Sequence, residues 1–78
     1  MVKVKYYGFL SKKLPQDFDE DGFATMQVEG LTVEALLLQT DVDIKMRMVV
    51  LVNEHRELKS YVLKDGDVIT VMPLVAGG

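Results

Sequence analysis

Val2, Val4 and Tyr6 alternate with Lys3 and Lys5 at the head of the chain. This period-two pattern marks a strand with one dry face and one wet face. Gly8 interrupts it, and Ser11-Lys12-Lys13-Leu14-Pro15 reads as a loop or short turn. Gln16 to Gly22 is acidic and ends in the turn pair Asp21-Gly22. Alternation resumes from Phe23 to Glu29: Ala24, Met26 and Val28 face one way, Thr25, Gln27 and Glu29 the other. These two strands are expected to pair as an antiparallel hairpin with a long loop.

Gly30 closes the second strand, and Thr32 is a good helix N-cap, with Glu34 in the first turn against the positive end of the helix dipole. Val33, Leu36, Leu37 and Thr40 fall at i, i+3, i+4 and i+7, one face of a short helix that ends near Asp41. Leu38 lies off that stripe and is expected to cover a sheet edge. Met48 to Val52 is a β-branched run that reads as a buried strand, with Asn53-Glu54-His55-Arg56 as its turn and a short edge strand near Glu57 to Lys59. Lys64-Asp65-Gly66-Asp67 is a tight turn into the last strand, Val68 to Met72. Pro73 has no N–H to give a ladder, so pairing is expected to stop there. The order β-β-α-β-(β)-β, with one helix on one face of a mixed sheet, is an α+β layout.

Composition narrows the function classes. The chain has 78 residues, one domain with a thin core, burying only about 60% of its unfolded surface. It has no cysteine, which removes thiolate nucleophiles and cysteine zinc sites and fits a reducing, cytoplasmic setting. Nine basic and twelve acidic residues give a net charge of −3, with the lysines scattered, so nucleic acid is not an expected partner. The alternating start is not that of a signal peptide, and apolar runs such as Met48 to Val52 are too short to span a bilayer, so no membrane is expected.

Three other features point to no chemistry of their own. Asp17-Phe18-Asp19-Glu20-Asp21-Gly22 opens like a calcium loop, but its twelfth position is Val28 where a bidentate Glu is needed. His55, the single histidine, has no triad or metal-ligand company. The aromatics Tyr6, Tyr7, Phe9, Phe18, Phe23 and Tyr61 are too dispersed for a stacking platform and are taken as mostly core.

The chain closes on Pro73-Leu74-Val75-Ala76-Gly77-Gly78. Together with the turn Asp65-Gly66-Asp67, the Val52-Asn53-Glu54 turn and the Tyr7-Gly8-Phe9-Leu10 segment, this ending resembles the sulfur-carrier branch of the ubiquitin-like, β-grasp proteins. That branch contains the small subunit of molybdopterin synthase, to which the chain is most similar, and the thiazole-forming carrier of the thiamine pathway. The resemblance covers nearly the whole chain. It implies a β-grasp domain over residues 1–72, with a mixed sheet of four to five strands and one main helix on one face. A flexible tail, 73–78, would follow.

The resemblance also implies a carrier or co-substrate rather than an enzyme. An E1-like adenylyltransferase would use ATP to activate the Gly78 carboxylate, so the carrier itself would bind no cofactor and no metal. A persulfide sulfur donor would then displace AMP and leave a C-terminal thiocarboxylate. The molybdopterin synthase large subunit, or a thiazole synthase, would accept the sulfur. Gly77, having no Cβ, would give the clearance that lets Gly78 be reached in a narrow channel. The segment from Pro73 to Gly78, fully extended, reaches about 20 Å. Met72, Pro73, Leu74, Val75 and Ala76, with Phe9 near the root, are the candidate partner contacts. Two other functions fit the same residues: a protein modifier joined to lysines through Gly78, and a plain β-grasp interaction module.

Overall fold

A computed structural model describes residues 1–74 of the chain. Within them the element order is β1 (Val2–Tyr6), a 3-10 helix (Gly8–Lys13), β2 (Ala24–Met26), α1 (Val33–Gln39), β3 (Met48–Val52), β4 (His55–Arg56) and β5 (Val68–Pro73). The strands form one mixed sheet in the order β2-β1-β5-β3-β4. β1 runs antiparallel to β2 and parallel to β5, and β5 runs antiparallel to β3. This is the α+β, β-grasp arrangement that the resemblance implied.

Strand alternation sorts the two faces. Val2, Val4 and Tyr6 of β1, Val50 and Val52 of β3, and Ile69 and Val71 of β5 are buried with Val33, Leu36 and Leu37 of α1 in one core. Each such side chain contributes about 1.5–3 kcal/mol by leaving water. The other face carries Lys3, Lys5, Val49, Leu51, Val68, Thr70 and Met72 and has no helix over it among the described residues.

The helix is short, and its ends are held by neighbours. Its first amides have no partners of their own. Thr32 Oγ1 accepts the Ala35 N–H at 3.1 Å, while the Val33 and Glu34 N–H groups donate to the carbonyls of Tyr61 and Lys59. At the other end the Thr40 hydroxyl donates back to the Leu36 carbonyl at 2.9 Å and accepts the buried Tyr6 O–H at 2.8 Å. The helix stripe and the N-cap are therefore where the sequence places them.

Several expectations shift. The second strand covers only Ala24–Met26, although Val28 is buried on the expected side. The edge strand is His55–Arg56, not Glu57 to Lys59; Asn53 and Glu54 alone make the turn, with φ of 52° and 71°. Met48–Val52 is half-buried, because one of its faces is the open one. Leu38, expected over a sheet edge, is 58% exposed. Tyr7, Phe9 and Phe18 are exposed rather than core. The segment after Gly8 is a 3-10 helix that seats Leu10 in the core.

Candidate functional site

The last strand leads to the residues that the sequence marks as reactive. Val75, Ala76, Gly77 and Gly78 lie outside the described residues; Met72, Pro73, Leu74 and Phe9 lie within them.

Pro73 does not stop pairing where the sequence predicts. It is the last residue of β5, opposite Met48, and the Leu74 N–H donates to the Arg47 carbonyl at 3.0 Å. The reason is alternation of backbone direction. Along β5 the carbonyls of Asp67 and Val71 accept from Lys3 and Tyr7 on the β1 side, whereas the Val68 carbonyl accepts from Asn53 on the β3 side. Residue 73 has the same parity as 67 and 71. Its missing N–H would point toward β1, which has already ended at Tyr6. The proline ends one ladder and leaves the other intact, so residues 73 and 74, expected to open the tail, are still tied to the sheet.

The turn that replaces β1 at this point is the 3-10 helix. Gly8 opens it at φ +62°, a left-handed conformation that glycine adopts without cost. A Cβ added to Gly8 would sit 3.5 Å from Cγ of Pro73, an ordinary contact distance, so it is the left-handed φ and not lack of room that calls for glycine here. Phe9 follows directly and is 55% exposed; Leu74 is 51% exposed. The fold thus brings the start of the 3-10 helix to Pro73 and leaves a large apolar side chain exposed on each of these two segments. Met72 points instead to the open face, where it is opposite Val49 and half-buried.

That face carries a shallow groove of about 570 Å³ lined by Tyr7, Phe23, Leu51, Asn53, Glu54, Val68 and Thr70. Lys5 stands over the Tyr7 and Phe23 rings at 5.1 and 5.4 Å and donates to the Asp21 carbonyl at 2.9 Å. This ties the acidic loop to the sheet. Within the loop Asp19 Oδ1 accepts the Asp21 and Phe23 N–H groups, which holds its carboxyl below the usual range. That oxygen serves the backbone of a turn. Among the described residues no cluster of histidine and acidic side chains is set to hold a metal.

The root of β5 is fixed by Asp67, which is only 6% exposed. Its carboxylate accepts the Lys64 N–H at 2.9 Å, the Asn53 amide at 2.9 Å and the Tyr61 hydroxyl at 3.0 Å. Burial pushes this carboxyl up, and the three hydrogen bonds together outweigh it and hold it below its ordinary value. Asn53 also accepts the Val68 N–H at 3.0 Å. The turn before β5 and the turn after β3 are therefore one latched unit, and they set the register that Leu74 inherits.

Sequence reasoning named Phe9, Met72, Pro73 and Leu74, and it missed Gly8 and Arg47. For Gly8 a signal was present: a glycine that breaks a strand pattern marks a bend in the backbone. Arg47 acts through its carbonyl, which no side-chain pattern reports.

No helix among the described residues is long and apolar enough to cross a membrane. No curated protein matches the chain. The sequence model of the ThiS family matches residues 4–78.

Proposed function

The chain belongs to the ThiS family of ubiquitin-like sulfur carriers, and from that premise we propose that Gly78 is the residue on which it carries sulfur. The observation that carries this reading is the extent of the family match, which runs through Gly77 and Gly78. The position of Leu74, still aligned by β3 and exposed, supports it.

A free carboxylate is a poor acyl donor. In this reading an E1-like adenylyltransferase binds ATP, the Gly78 carboxylate attacks its α-phosphorus, and pyrophosphate leaves. A persulfide of a sulfur-donor enzyme attacks the acyl carbon and expels AMP. A second thiol then cleaves the acyl disulfide, leaving a thiocarboxylate. The partners supply the catalytic groups, and this chain supplies the acyl group and its delivery. Gly77 keeps the approach clear. Leu74, Val75 and Ala76, with Phe9, are gripped at the channel mouth, and Met72 is covered as the partner docks on the open face. The sulfur passes to a precursor in a synthase active site. Molybdopterin synthase is the first candidate, on the Tyr7-Gly8-Phe9-Leu10 segment, and thiazole synthase the second. The work takes place in the cytoplasm.

ATP–pyrophosphate exchange by the organism's E1-like enzyme tests this. The account predicts exchange that requires the chain and disappears when Gly78 is deleted. Undiminished exchange with the Gly78 deletion would refute it.

A further inference from the structure

We propose that the outer edge of β2 is a docking strand, to which a partner protein adds an extended basic segment; this goes beyond the carrier reading and does not depend on it. Strand parity exposes the edge. The Lys3 and Tyr7 N–H groups donate to the β5-side carbonyls of Asp67 and Val71, so the odd residues of β1 bond toward β5 and the even ones toward β2. Val2 and Val4 stand opposite Met26 and Ala24, and Lys3 stands opposite Thr25. Ala24 and Met26 therefore bond to β1. Thr25 turns its N–H and carbonyl outward, where no strand lies among the described residues. The Gln27 N–H and carbonyl have no hydrogen-bond partner among them either.

The edge has a fixed end and a side-chain cleft. The Asp19 N–H donates to the Phe23 carbonyl at 2.9 Å, and Asp19 Oδ1 accepts the Phe23 N–H at 2.9 Å. The loop thus closes the edge before Thr25 and fixes where an added strand begins. Between that loop and β2 lies a cleft of about 340 Å³ whose walls include Pro15, Asp17, Phe18 and Thr25. An incoming lysine or arginine can lay its stem on Pro15 and Phe18 and set its charge at Asp17. The opposite edge of the sheet, β4, is blunted by His55 and Arg56, whereas β2 offers the uncharged Thr25 and Gln27.

Charge selects the occupant. Asp17, Glu20 and Asp21 are exposed, and no cation pairs with their carboxylates among the described residues. The lysines nearby are engaged, Lys3 by Asp19 at 3.6 Å and Lys5 by the Asp21 carbonyl. A second copy of this chain would suit the edge in shape but not in charge: antiparallel pairing would bring an acidic loop to each end of one short edge, between chains of net charge −3 each. An extended segment carrying lysine or arginine satisfies the same backbone groups and neutralises the loop. Main-chain bonds give such a strand its hold, and the cleft gives selectivity. β2 lies two strand spacings from β5, about 10 Å, so a partner held there leaves the end of β5 open.

The test is NMR titration of the isotope-labelled chain with acetyl-Lys-Val-Lys-Val-Lys-amide, at low and raised salt, with acetyl-Glu-Val-Glu-Val-Glu-amide as control. The basic peptide is expected to shift the Asp17, Thr25 and Gln27 amides saturably, to slow hydrogen exchange at Thr25 several-fold, and to bind more weakly as salt rises. The acidic peptide is expected to leave them unmoved. Thr25→Pro is the decisive variant. The N–H it removes faces outward, so the pairing of β1 with β2 survives and the docking bond is lost; the shifts at Gln27 should vanish. Asp17→Lys is expected to weaken binding about 10-fold. No binding, equal binding of the acidic peptide, shifts spread over the whole acidic surface, or full binding by folded Thr25→Pro overturns the docking strand. Thr25 shifts that change on dilution without peptide assign the edge to a second copy and overturn the basic occupant. Should Thr25→Pro fail to fold in a urea melt, Asp17→Lys decides, and undiminished binding by it overturns the proposal.

Discussion

Leu74 donates its amide hydrogen to the carbonyl of Arg47 at 3.0 Å, one residue beyond the proline that closes β5. The chain therefore leaves the sheet from a held position. Amide hydrogen exchange followed by NMR checks this directly. The Leu74 amide is expected to exchange far more slowly than an exposed, unbonded amide. Exchange at the free-peptide rate would contradict a β3–β5 ladder that runs on to Arg47 and Leu74.

Asp67 is the latch on which that register depends. Asp67→Ala leaves the Tyr61 hydroxyl, the Asn53 amide and the Lys64 N–H without their acceptor and is expected to cost about 3 kcal/mol in a urea melt. Its pH dependence has a definite sign. The folded carboxyl is held below its ordinary value of 3.8, so its contribution is full above that value and is lost as pH falls through the lower folded value. The stability gap between wild type and Asp67→Asn should therefore narrow below about pH 4. A constant gap from pH 7 to pH 2 would show that Asp67 is not the latch.

Tyr6 and Thr40 share a hydrogen bond, and the two ends are not equivalent. Tyr6→Phe leaves the Thr40 hydroxyl still bonded to the Leu36 carbonyl and should cost about 1 kcal/mol. Thr40→Val strands a buried phenol and should cost more, about 2–3 kcal/mol. Burial pushes the Tyr6 hydroxyl up to about 12, against the opposing pull of Thr40. The contribution of Tyr6 is thus full below its ordinary value of 10.0 and is lost as pH rises through about 12. In alkaline titration of the phenolate absorbance, Tyr6→Phe should remove a phenol that ionises near pH 12. An unchanged titration curve, or equal costs for the two substitutions, would rule this arrangement out.

Glu54 sits at φ 71° in the turn between β3 and β4, a conformation that favours glycine. Glu54→Gly is expected to raise stability by about 1 kcal/mol in a thermal or urea melt, since the left-handed cost disappears. Destabilisation would mean that the Glu54 side chain stabilises the fold.

These residues also mark what a sequence can and cannot reveal. Val33, Leu36, Leu37 and Thr40 announce their shared face because a helix repeats every 3.6 residues. The strands around Val4, Val50 and Ile69 announce theirs by alternation or by a β-branched run. The inward turn of Asp67 is not written locally, because its partners Asn53 and Tyr61 are fourteen and six residues away. The segment from Gly8 to Lys13 is too short to show an apolar stripe, so it reads as a loop. Pro73 misleads because its effect depends on which neighbour its absent N–H would face. That is set by the parity of β5 against β1, a long-range fact. Leu38 misleads in the opposite way: its apolar side chain suggests a surface to cover, and it is left largely exposed.

The central claim concerns Gly78, and intact mass tests it most directly. The chain is to be co-expressed with the organism's E1-like enzyme and a persulfide sulfur source, then weighed whole and after C-terminal peptide mapping. The account predicts a gain equal to the exchange of one oxygen for one sulfur, confined to the peptide that ends in Gly78 and absent when Gly78 is deleted. An unmodified mass, with the E1-like enzyme shown to be active on ATP in the same sample, would contradict it.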